Sequence, residues 1–289
     1  MIVPHSHNDS NRESATAESR CLECAVAAFA TIRMTFEEVN ALRKKSDSLP
    51  GNLGNSLLRH ADEQTLAALA AARDTVARME CPPQEFGDWG VVCSTRYLGR
   101  KAFAESLTKF AAEGPWNVSV QVVPNRSLHS PGSMVGLALG CHGPCIGVGG
   151  GLDGETDAWI TAMTLLDQHA MPGMFMIFSG WEPDEHIDVE GKPLTDSRCT
   201  SLVLALQPST AKSSVARLKI GFDANQPTSL EVPAKRTAIS LFEEFAASND
   251  TPLTAILGGG LCAEMDWTPA VTTKLPIPIP EIAAQKKAA

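Results

Sequence analysis

Short apolar runs and helical apolar periods follow each other along the chain, and the stretch Cys141–Gln168 contains both. The apolar run 145–148 is typical of a short strand buried on both faces. Three glycines at 149–151 allow the backbone to turn sharply after it. Apolar residues then recur at i, i+3, i+4 and i+7, which is one helix face, in the set Trp159, Ala162, Met163 and Leu166. The stretch therefore predicts a strand, a glycine corner and an amphipathic helix.

The same alternation extends over most of the sequence. Apolar runs predict further strands over 24–32, 89–95, 174–179, 201–206, 216–222 and 253–257, although the alanines of 24–32 would suit a helix as well. Helical periods predict helices over 35–45, 57–79, 99–113, 133–140 and 237–247. We expect the strands 201–206 and 216–222 to be antiparallel neighbours. Strands alternating with helices predict an α/β fold, with a mostly parallel, mixed sheet that carries helices on both faces.

The two ends of the chain differ in composition from its middle. Residues 1–20 are polar, rich in Ser, Asn and Glu, and predict an extension with little fixed structure. Residues 269–289 contain alternating prolines and predict a loose tail. Between them, 21–268 shows neither an internal repeat nor a linker, which indicates one domain.

Composition narrows the range of functions. The chain has 289 residues, of which 44% are hydrophobic and 20% charged, and its formal net charge is -9. This acidic balance argues against a general nucleic-acid binder, and no apolar run approaches the ~18 residues that a membrane-spanning helix needs. The start lacks a signal-peptide pattern, and the eight cysteines have no short-spaced framework. We therefore expect reduced thiols and a cytoplasmic protein.

The glycine corner is the main candidate for chemistry. A strand that breaks at glycines into a helix is how several α/β enzymes present a nucleophile, because the helix dipole stabilises an anion there. The corner residue here is Leu152, which follows Gly151 and cannot act as a nucleophile. The neighbouring Asp153 and Glu155 would raise the pKa of a nearby thiol. The corner thus has the form of a catalytic site without its reactive group.

Other interpretations of the corner stay open at this point. Leu152 is equally consistent with a plain core leucine at a helix start, which also predicts no covalent catalysis. Cys141 and Cys145 flank the corner and are alternative nucleophiles, but we favour buried structural thiols, since free cysteine is among the most buried residue types. The same interpretation applies to Cys93.

Metal and phosphate sites are disfavoured. Zinc would find four ligands near the start of the chain, which are His5, His7, Cys21 and Cys24. A polar segment separates the histidine pair from the cysteine pair, however, which argues against a zinc site. The glycines at 149–151 open an acidic helix and lack both a Walker Lys and a G-x-G-x-x-G spacing, so backbone geometry explains them better than phosphate binding. We predict neither a metal nor a cofactor.

The order of these elements resembles the N-terminal half of a β-ketoacyl synthase, which has the thiolase-like fold. The alanine-rich helix 57–79, the strand WGVVCST and the helix 99–113 follow that order. The stretch VVPNRSLHSPGSMVGLALGCHGP resembles the family's P-N-S run, small-residue helix and G-P turn. CIGVGGGLDGE lies over its strand and nucleophile corner, and MFMIFSGWEPD over its next strand. The resemblance covers roughly residues 24–222 and implies a single thiolase-like half with a five-stranded sheet.

The departures from the family matter as much as the matches. Active ketosynthases have a Cys at the start of the corner helix, where this chain has Leu152. Two histidines from the family's C-terminal half complete its active site, and no His follows His186 here. The resemblance therefore implies a catalytically silent protein. It is similar to the short chain-length-factor-like proteins that pair with an active ketosynthase and help to shape its acyl tunnel.

The resemblance also implies a place for the partner. In the family, the strand before the corner lies at the sheet edge and pairs with the same strand of a second subunit, which would make 145–150 a two-fold dimer seam. The helix that precedes this strand would face the partner's acyl pocket. The candidates for seam and pocket are Ser133, Met134, Leu137, Cys145, Ile146 and Val148.

Three functions follow as hypotheses. The first is a silent subunit that dimerises with an active β-ketoacyl synthase in fatty-acid-like or polyketide biosynthesis and meets an acyl carrier protein only indirectly. The second is an enzyme that uses acyl thioesters with a relocated nucleophile at Cys141 or Cys145. The third is a homodimeric binding protein without catalysis. None of them calls for nucleic acid or a membrane.

Overall fold

The architecture comes from a computed structural model of the chain. It describes residues 21–44, 49–51, 53–80, 86–120, 122–149, 154–168, 171–183, 196–222, 237–248, 251–258 and 261–268. The predictions for 1–20 and 269–289 concern residues outside this set. Among the described residues, no helix combines the length and the apolar character that crossing a membrane requires.

One mixed sheet runs through the molecule. Its described strands are β1 (Leu22–Met34), β2 (Gly90–Thr95), β3 (Cys145–Val148), β4 (Met174–Glu182), β5 (Arg198–Pro208), β6 (Ala216–Phe222), β7 (Leu253–Gly258) and β8 (Leu261–Trp267). Their spatial order is β3-β2-β4-β5-β1-β6-β8-β7. Strand β2 is parallel to β3 and β4, and the remaining neighbours are antiparallel.

The α/β class and the mixed sheet are confirmed, but four details of the prediction are wrong. The described sheet has eight strands instead of five, and antiparallel pairs outnumber parallel ones. Strands β5 and β6 are not neighbours, because the long strand β1 lies between them and pairs with both. The eighth strand, β8, pairs with β7 in an antiparallel arrangement, and no apolar run predicted a strand over its residues.

Helices cover both faces of the sheet. They are α1 (Phe36–Leu42), α2 (Asn55–His60), α3 (Glu63–Arg78), α4 (Arg100–Glu113), α5 (Val122–Asn125), α6 (Ser130–Leu139), α7 (Gly154–Gln168) and α8 (Ala238–Ala247). The single helix predicted over 57–79 is two helices, α2 and α3. The break occurs because Asp62 adopts an extended backbone and accepts a hydrogen bond from the Gln64 N–H as the N-cap of α3.

Alternate side chains of each inner strand enter two different cores. Val91, Cys93 and Phe175 pack with α3 and α6 on one face. Val92 and Met176 pack with α7 and α8 on the other. This period of two is what an extended strand imposes.

Strand β3 forms one edge of the described sheet, with β2 as its only neighbour there. Cys145 is exposed, and the other three residues of the strand are half-buried. The prediction of a strand buried on both faces is therefore wrong for 145–148. Its apolar side chains reach solvent because the strand has no neighbour on its outer side among the described strands.

Candidate functional site

The corner between β3 and α7 is built on two glycines that touch. Gly149 has φ +70°, and a Cβ added to it would lie within 3.0 Å of the Gly154 Cα, closer than real Cβ contacts. A Cβ on Gly154 would meet the Gly149 Cα and the Ser94 Oγ, each at 3.1 Å. The end of the strand and the start of the helix are thus in backbone contact. Leu152, with Gly151 and Asp153, lies outside the described residues, so its role at the corner stays a prediction.

The first turn of α7 is joined to distant parts of the chain. The Ala238 N–H, at the start of α8, donates to Glu155 Oε2 at 2.7 Å. Thr156 donates from its buried hydroxyl to the Leu257 carbonyl at 2.7 Å. Glu155 therefore accepts a hydrogen bond from the N-terminus of α8, a role that sequence reasoning missed. These two bonds hold the corner against the C-terminal elements.

Helix α6 lies beside the edge strand and brings two candidate residues together. Ser133 and Cys145 are both exposed, and Ser133 Oγ lies 3.7 Å from Cys145 Sγ. Leu137, one turn along the same helix, is 61% exposed. Both Ser133 and Leu137 thus present their side chains at the open edge of the sheet.

The other candidates lie deeper and on different faces. Met134 is half-buried and packs against the core on the α3 side of the sheet. Ile146 and Val148 pack against the core on the α7 side. Three of the six candidates thus belong to the edge strand and three to the helix beside it, and they point to different sides of the sheet.

Three thiols lie close to the corner in different environments. Cys93 is fully buried and donates from Sγ to the Leu128 carbonyl at 3.3 Å. Burial raises the pKa of Cys93 to about 12 and that of Cys141 to about 11. Both groups are thus neutral thiols near pH 7, which makes them poor nucleophiles. The expectation of a buried structural thiol holds for Cys93 but is wrong for Cys145, which is exposed.

A loop before α6 contributes a group that sequence reasoning missed. Ser127 Oγ lies 3.4 Å from His129 Nε2 and 3.0 Å from Ser130 Oγ. Ser130 donates to the Pro124 carbonyl at 3.1 Å, so these hydroxyls order the loop and start the helix. A Cβ on Gly147 of β3 would lie 2.6 Å from the His129 backbone nitrogen. The loop and the edge strand are therefore in backbone contact.

Arg126 fixes the same loop from its other side. Its guanidinium forms an ion pair with the buried Asp62 at 2.5 Å and a second one with Glu63 at 3.4 Å. Arg43 joins the cluster by an ion pair with Glu63, in which its Nη2 lies 2.8 Å from Oε1. Two acidic groups at the N-terminus of α3 suit the helix dipole. The cluster explains how a loop without regular structure is held against the sheet edge.

The structure tests the possible zinc site at the start of the chain only in part. Within the ranges that the structure describes, no group of three or more His, Cys, Asp and Glu side chains is arranged to hold a metal ion. Cys21 and Cys24 lie at the start of β1, Cys21 exposed and Cys24 buried. His5 and His7 lie outside the described residues.

Comparisons with known proteins identify the fold. No family model matches the sequence, and no curated protein is similar enough to match it. Among solved structures, one chain from the ketosynthase ApeO in complex with its chain length factor ApeC, from Xenorhabdus doucetiae, superposes with a TM-score of 0.54 at 12% identity. The superposition covers 85% of this chain and 99% of that one, so the two are similar in length.

A second structure is more distant. The ishigamide ketosynthase/chain length factor aligns over 70% of this chain and 68% of its own, with 13% identity and a TM-score of 0.47. At these identities the two structures are informative about the fold alone, and the fold assignment rests on the first superposition. The chain thus has a ketosynthase-like, thiolase-type fold, as the order of its sequence motifs predicted.

Proposed function

We propose that the protein is a catalytically silent, chain-length-factor-like subunit that pairs with an active β-ketoacyl synthase through β3. In this role it helps to shape the partner's acyl pocket during fatty-acid-like or polyketide biosynthesis in the cytoplasm. The observation that carries the proposal is a ketosynthase-like fold whose corner strand forms an open sheet edge. A chain of the same fold and similar length occurs in a complex of a ketosynthase with its chain length factor.

The chemistry of the corner supports catalytic silence. The sequence has Leu152 where active ketosynthases have a Cys, and no His follows His186. Condensation needs a thiolate to carry the acyl group. Burial raises the pKa values of Cys93 and Cys141, the thiols on either side of α6, so neither supplies a thiolate at neutral pH.

The direction of the backbone groups in β3 supports pairing through its outer edge. The Val91 N–H donates to the Pro144 carbonyl at 2.8 Å, so Pro144 faces β2. Backbone groups of successive strand residues point in alternate directions, and those of Cys145 and Gly147 therefore point away from β2. An edge of this kind is a template for another strand, and a two-fold partner would cover it.

The acyl pocket is assigned to the residues next to this edge. Ser133 and Leu137 are exposed on α6 and would face the partner, and Met134 supplies a flexible side chain beneath them. The partner would hold the reactive acyl group and meet the acyl carrier protein. Side-chain volume at Leu137 would then limit how deep the acyl chain extends.

The test is native mass spectrometry of the protein alone and mixed with ketosynthases encoded near its gene, combined with acyl-thioester labelling. Cys145→Pro removes an outward N–H at the start of the strand, where proline is tolerated. Cys145→Ser is the matched control, because it removes the same thiol and keeps the N–H. We expect wild type and Cys145→Ser to form a heterodimer in which only the partner is acylated. Cys145→Pro should weaken the complex about tenfold, since losing one hydrogen bond and leaving the partner's acceptor unpaired costs about 1.4 kcal/mol.

Two other results would support the alternative functions. If the protein itself takes up label and Cys145→Ser abolishes it, the exposed thiol is a relocated nucleophile and the protein is an acyl-thioester enzyme. A stable homodimer that ignores every ketosynthase and takes up no label would indicate a binding protein. Equal complexes from Cys145→Pro and Cys145→Ser would place the partner elsewhere on the surface.

A further inference from the structure

Helix α4 carries an apolar face that the described chain covers only in part. Phe103, Leu107 and Phe110 are spaced at i, i+4 and i+7 and thus share one face of the helix. They are 38%, 69% and 51% exposed, and none of the described side chains of α4 is buried. Trp116, in the short 3-10 turn Pro115–Asn117 that follows the helix, is 97% exposed. We call these four residues the α4 surface.

The α4 surface is continuous with the open sheet edge through a chain of contacts. Helix α4 packs mainly on the 3-10 turn and on α5. A Cβ on Gly99, its N-cap, would meet the Arg126 Cβ at 2.8 Å. Residues 128 and 129, just beyond Arg126, lie against Gly147 of β3. The exposed Leu128 therefore lies between the α4 surface and the strand edge.

The size of a stable interface argues that the strand edge is too small by itself. A specific complex buries about 800 Å² on each partner, whereas β3 has four residues. A fully exposed aromatic side chain has about 150–250 Å² to bury, of which Phe103 and Phe110 retain 38% and 51%, and Trp116 97%. Phe103, Phe110 and Trp116 would thus supply a large share of the missing area. Contiguous exposed apolar surface of this kind is typical of a binding site.

The chemistry around the α4 surface fits a protein partner. Its centre contains no charged side chain, and the ion pair between Lys109 and Glu113, at 4.0 Å, lies toward its margin. An apolar centre with a polar rim is the usual composition of a protein–protein interface. A helix that presents residues at i, i+4 and i+7 is recognised by an apolar groove.

We infer that the α4 surface is a second contact for the same ketosynthase subunit that pairs with β3. This inference rests on the proposed function, because the partner is the one assigned there. The partner would contribute an apolar groove that receives Leu107 and the two phenylalanines, with Trp116 at one end. Strand pairing would fix the orientation of the two subunits, and the α4 surface would provide most of the buried apolar area.

The experiment uses two double variants, and each adds two negative charges to one face of α4. Leu107→Glu with Phe110→Glu alters the α4 surface. Thr108→Glu with Ala112→Glu adds the same charge on the opposite, exposed face. Both double variants should fold like wild type, because the changed side chains are exposed, and circular dichroism and thermal unfolding check this. The affinity for the ketosynthase is measured by titration calorimetry, and amide hydrogen exchange of α4 is measured with and without the partner.

We expect the α4-surface variant to bind at least tenfold more weakly than wild type and the opposite-face variant to stay within about twofold. Exchange of the α4 amides should slow in the complex. Equal binding by both variants, with unchanged α4 exchange, would overturn the inference and leave the proposed pairing standing if Cys145→Pro still weakens it. If the protein forms a homodimer in which exchange of the α4 amides slows, the α4 surface binds a second copy of this chain. That result would overturn the inference that it binds a ketosynthase. Absence of any ketosynthase complex would overturn the proposed function and this inference together.

Discussion

Helices α3 and α4 have similar lengths, 16 and 14 residues, and opposite surroundings. In α3, ten side chains are buried between the sheet, α1 and α6, and they are Gln64, Thr65, Leu66, Ala67, Ala68, Leu69, Ala70, Ala71, Ala72 and Thr75. In α4, the apolar face reaches solvent instead. Both sequences have an apolar stripe at helical spacing, so amphipathic pattern alone does not decide which helix enters the core.

The difference follows from side-chain size and from position in the sheet. Alanines on α3 allow its axis to approach β1 and β5 at the centre of the sheet. Helix α4 follows β2, next to the edge strand, and contacts mainly the 3-10 turn and α5. Its phenylalanines and leucine therefore stay partly or mostly exposed. We therefore expect the small-residue stripe of α3 to pack within its own domain, and the large-residue stripe of α4 to be covered only when the proposed partner binds.

The sharpest test of this comparison is a leucine deletion in each helix. Leu69→Ala in α3 removes a fully buried side chain and should lower the free energy of unfolding by about 2–5 kcal/mol. Leu107→Ala in α4 should change it by less than about 0.5 kcal/mol, because that side chain is mostly exposed. Urea unfolding of the isolated protein measures both. Comparable losses from the two variants would mean that α4 packs against its own chain.

The sequence predicted elements better than their arrangement. Most strands and helices were located because periods of 2 and 3.6 are local signals. Strand order was not accessible in the same way, since the pairing of β1 with both β5 and β6 joins residues almost two hundred positions apart along the chain. The break before α3 was missed although Asp62 is a good N-cap, because the helical period continues through it.

A second comparison separates backbone conformation from packing at the corner. Gly149 and Gly140 both have φ +70°, but a Cβ on Gly140 would have nothing within 4 Å. An alanine in this left-handed region costs about 1–2 kcal/mol at either position. Gly149→Ala must also push Gly154 away, which adds about 1–3 kcal/mol.

Thermal and urea unfolding of Gly149→Ala and Gly140→Ala isolate that difference. We expect the larger loss for Gly149→Ala, with weaker pairing to a ketosynthase because the end of β3 moves. Equal losses in the two variants would show that the corner relaxes without strain. The strand edge would then be less rigid than the close contact of its glycines indicates.

The candidate site was predictable where its signal is local and not where it depends on distant residues. The glycines of the corner and the small-residue helix α6 are visible in the sequence. Glu155 accepts a hydrogen bond from a backbone group 83 positions away, and Arg126 donates one to a carboxylate 64 positions away. No local sequence pattern predicts hydrogen bonds between residues so far apart. The exposure of Cys145 depends on the place of β3 at the sheet edge, which the family resemblance implied but the local apolar run did not.

The smallest expected effect comes from comparing a buried thiol with an exposed one. Cys93 lies in the interior and Cys145 at the edge, and both are near the corner. Burial raises the pKa of Cys93 to about 12, from 9.0 in its absence. At alkaline pH the unfolded chain therefore loses a proton that the native protein keeps, so the free energy of unfolding falls as pH rises above about 9. From pH 8 to pH 10 this one thiol should lower it by about 1.4 kcal/mol. Urea unfolding at these two pH values checks the slope, and Cys93→Ala should reduce it. Iodoacetamide at pH 8 should modify Cys145 in the native protein and Cys93 only after unfolding. Rapid native labelling of Cys93 would mean that the interior beside the corner opens, and the contrast between edge and core would lose its basis.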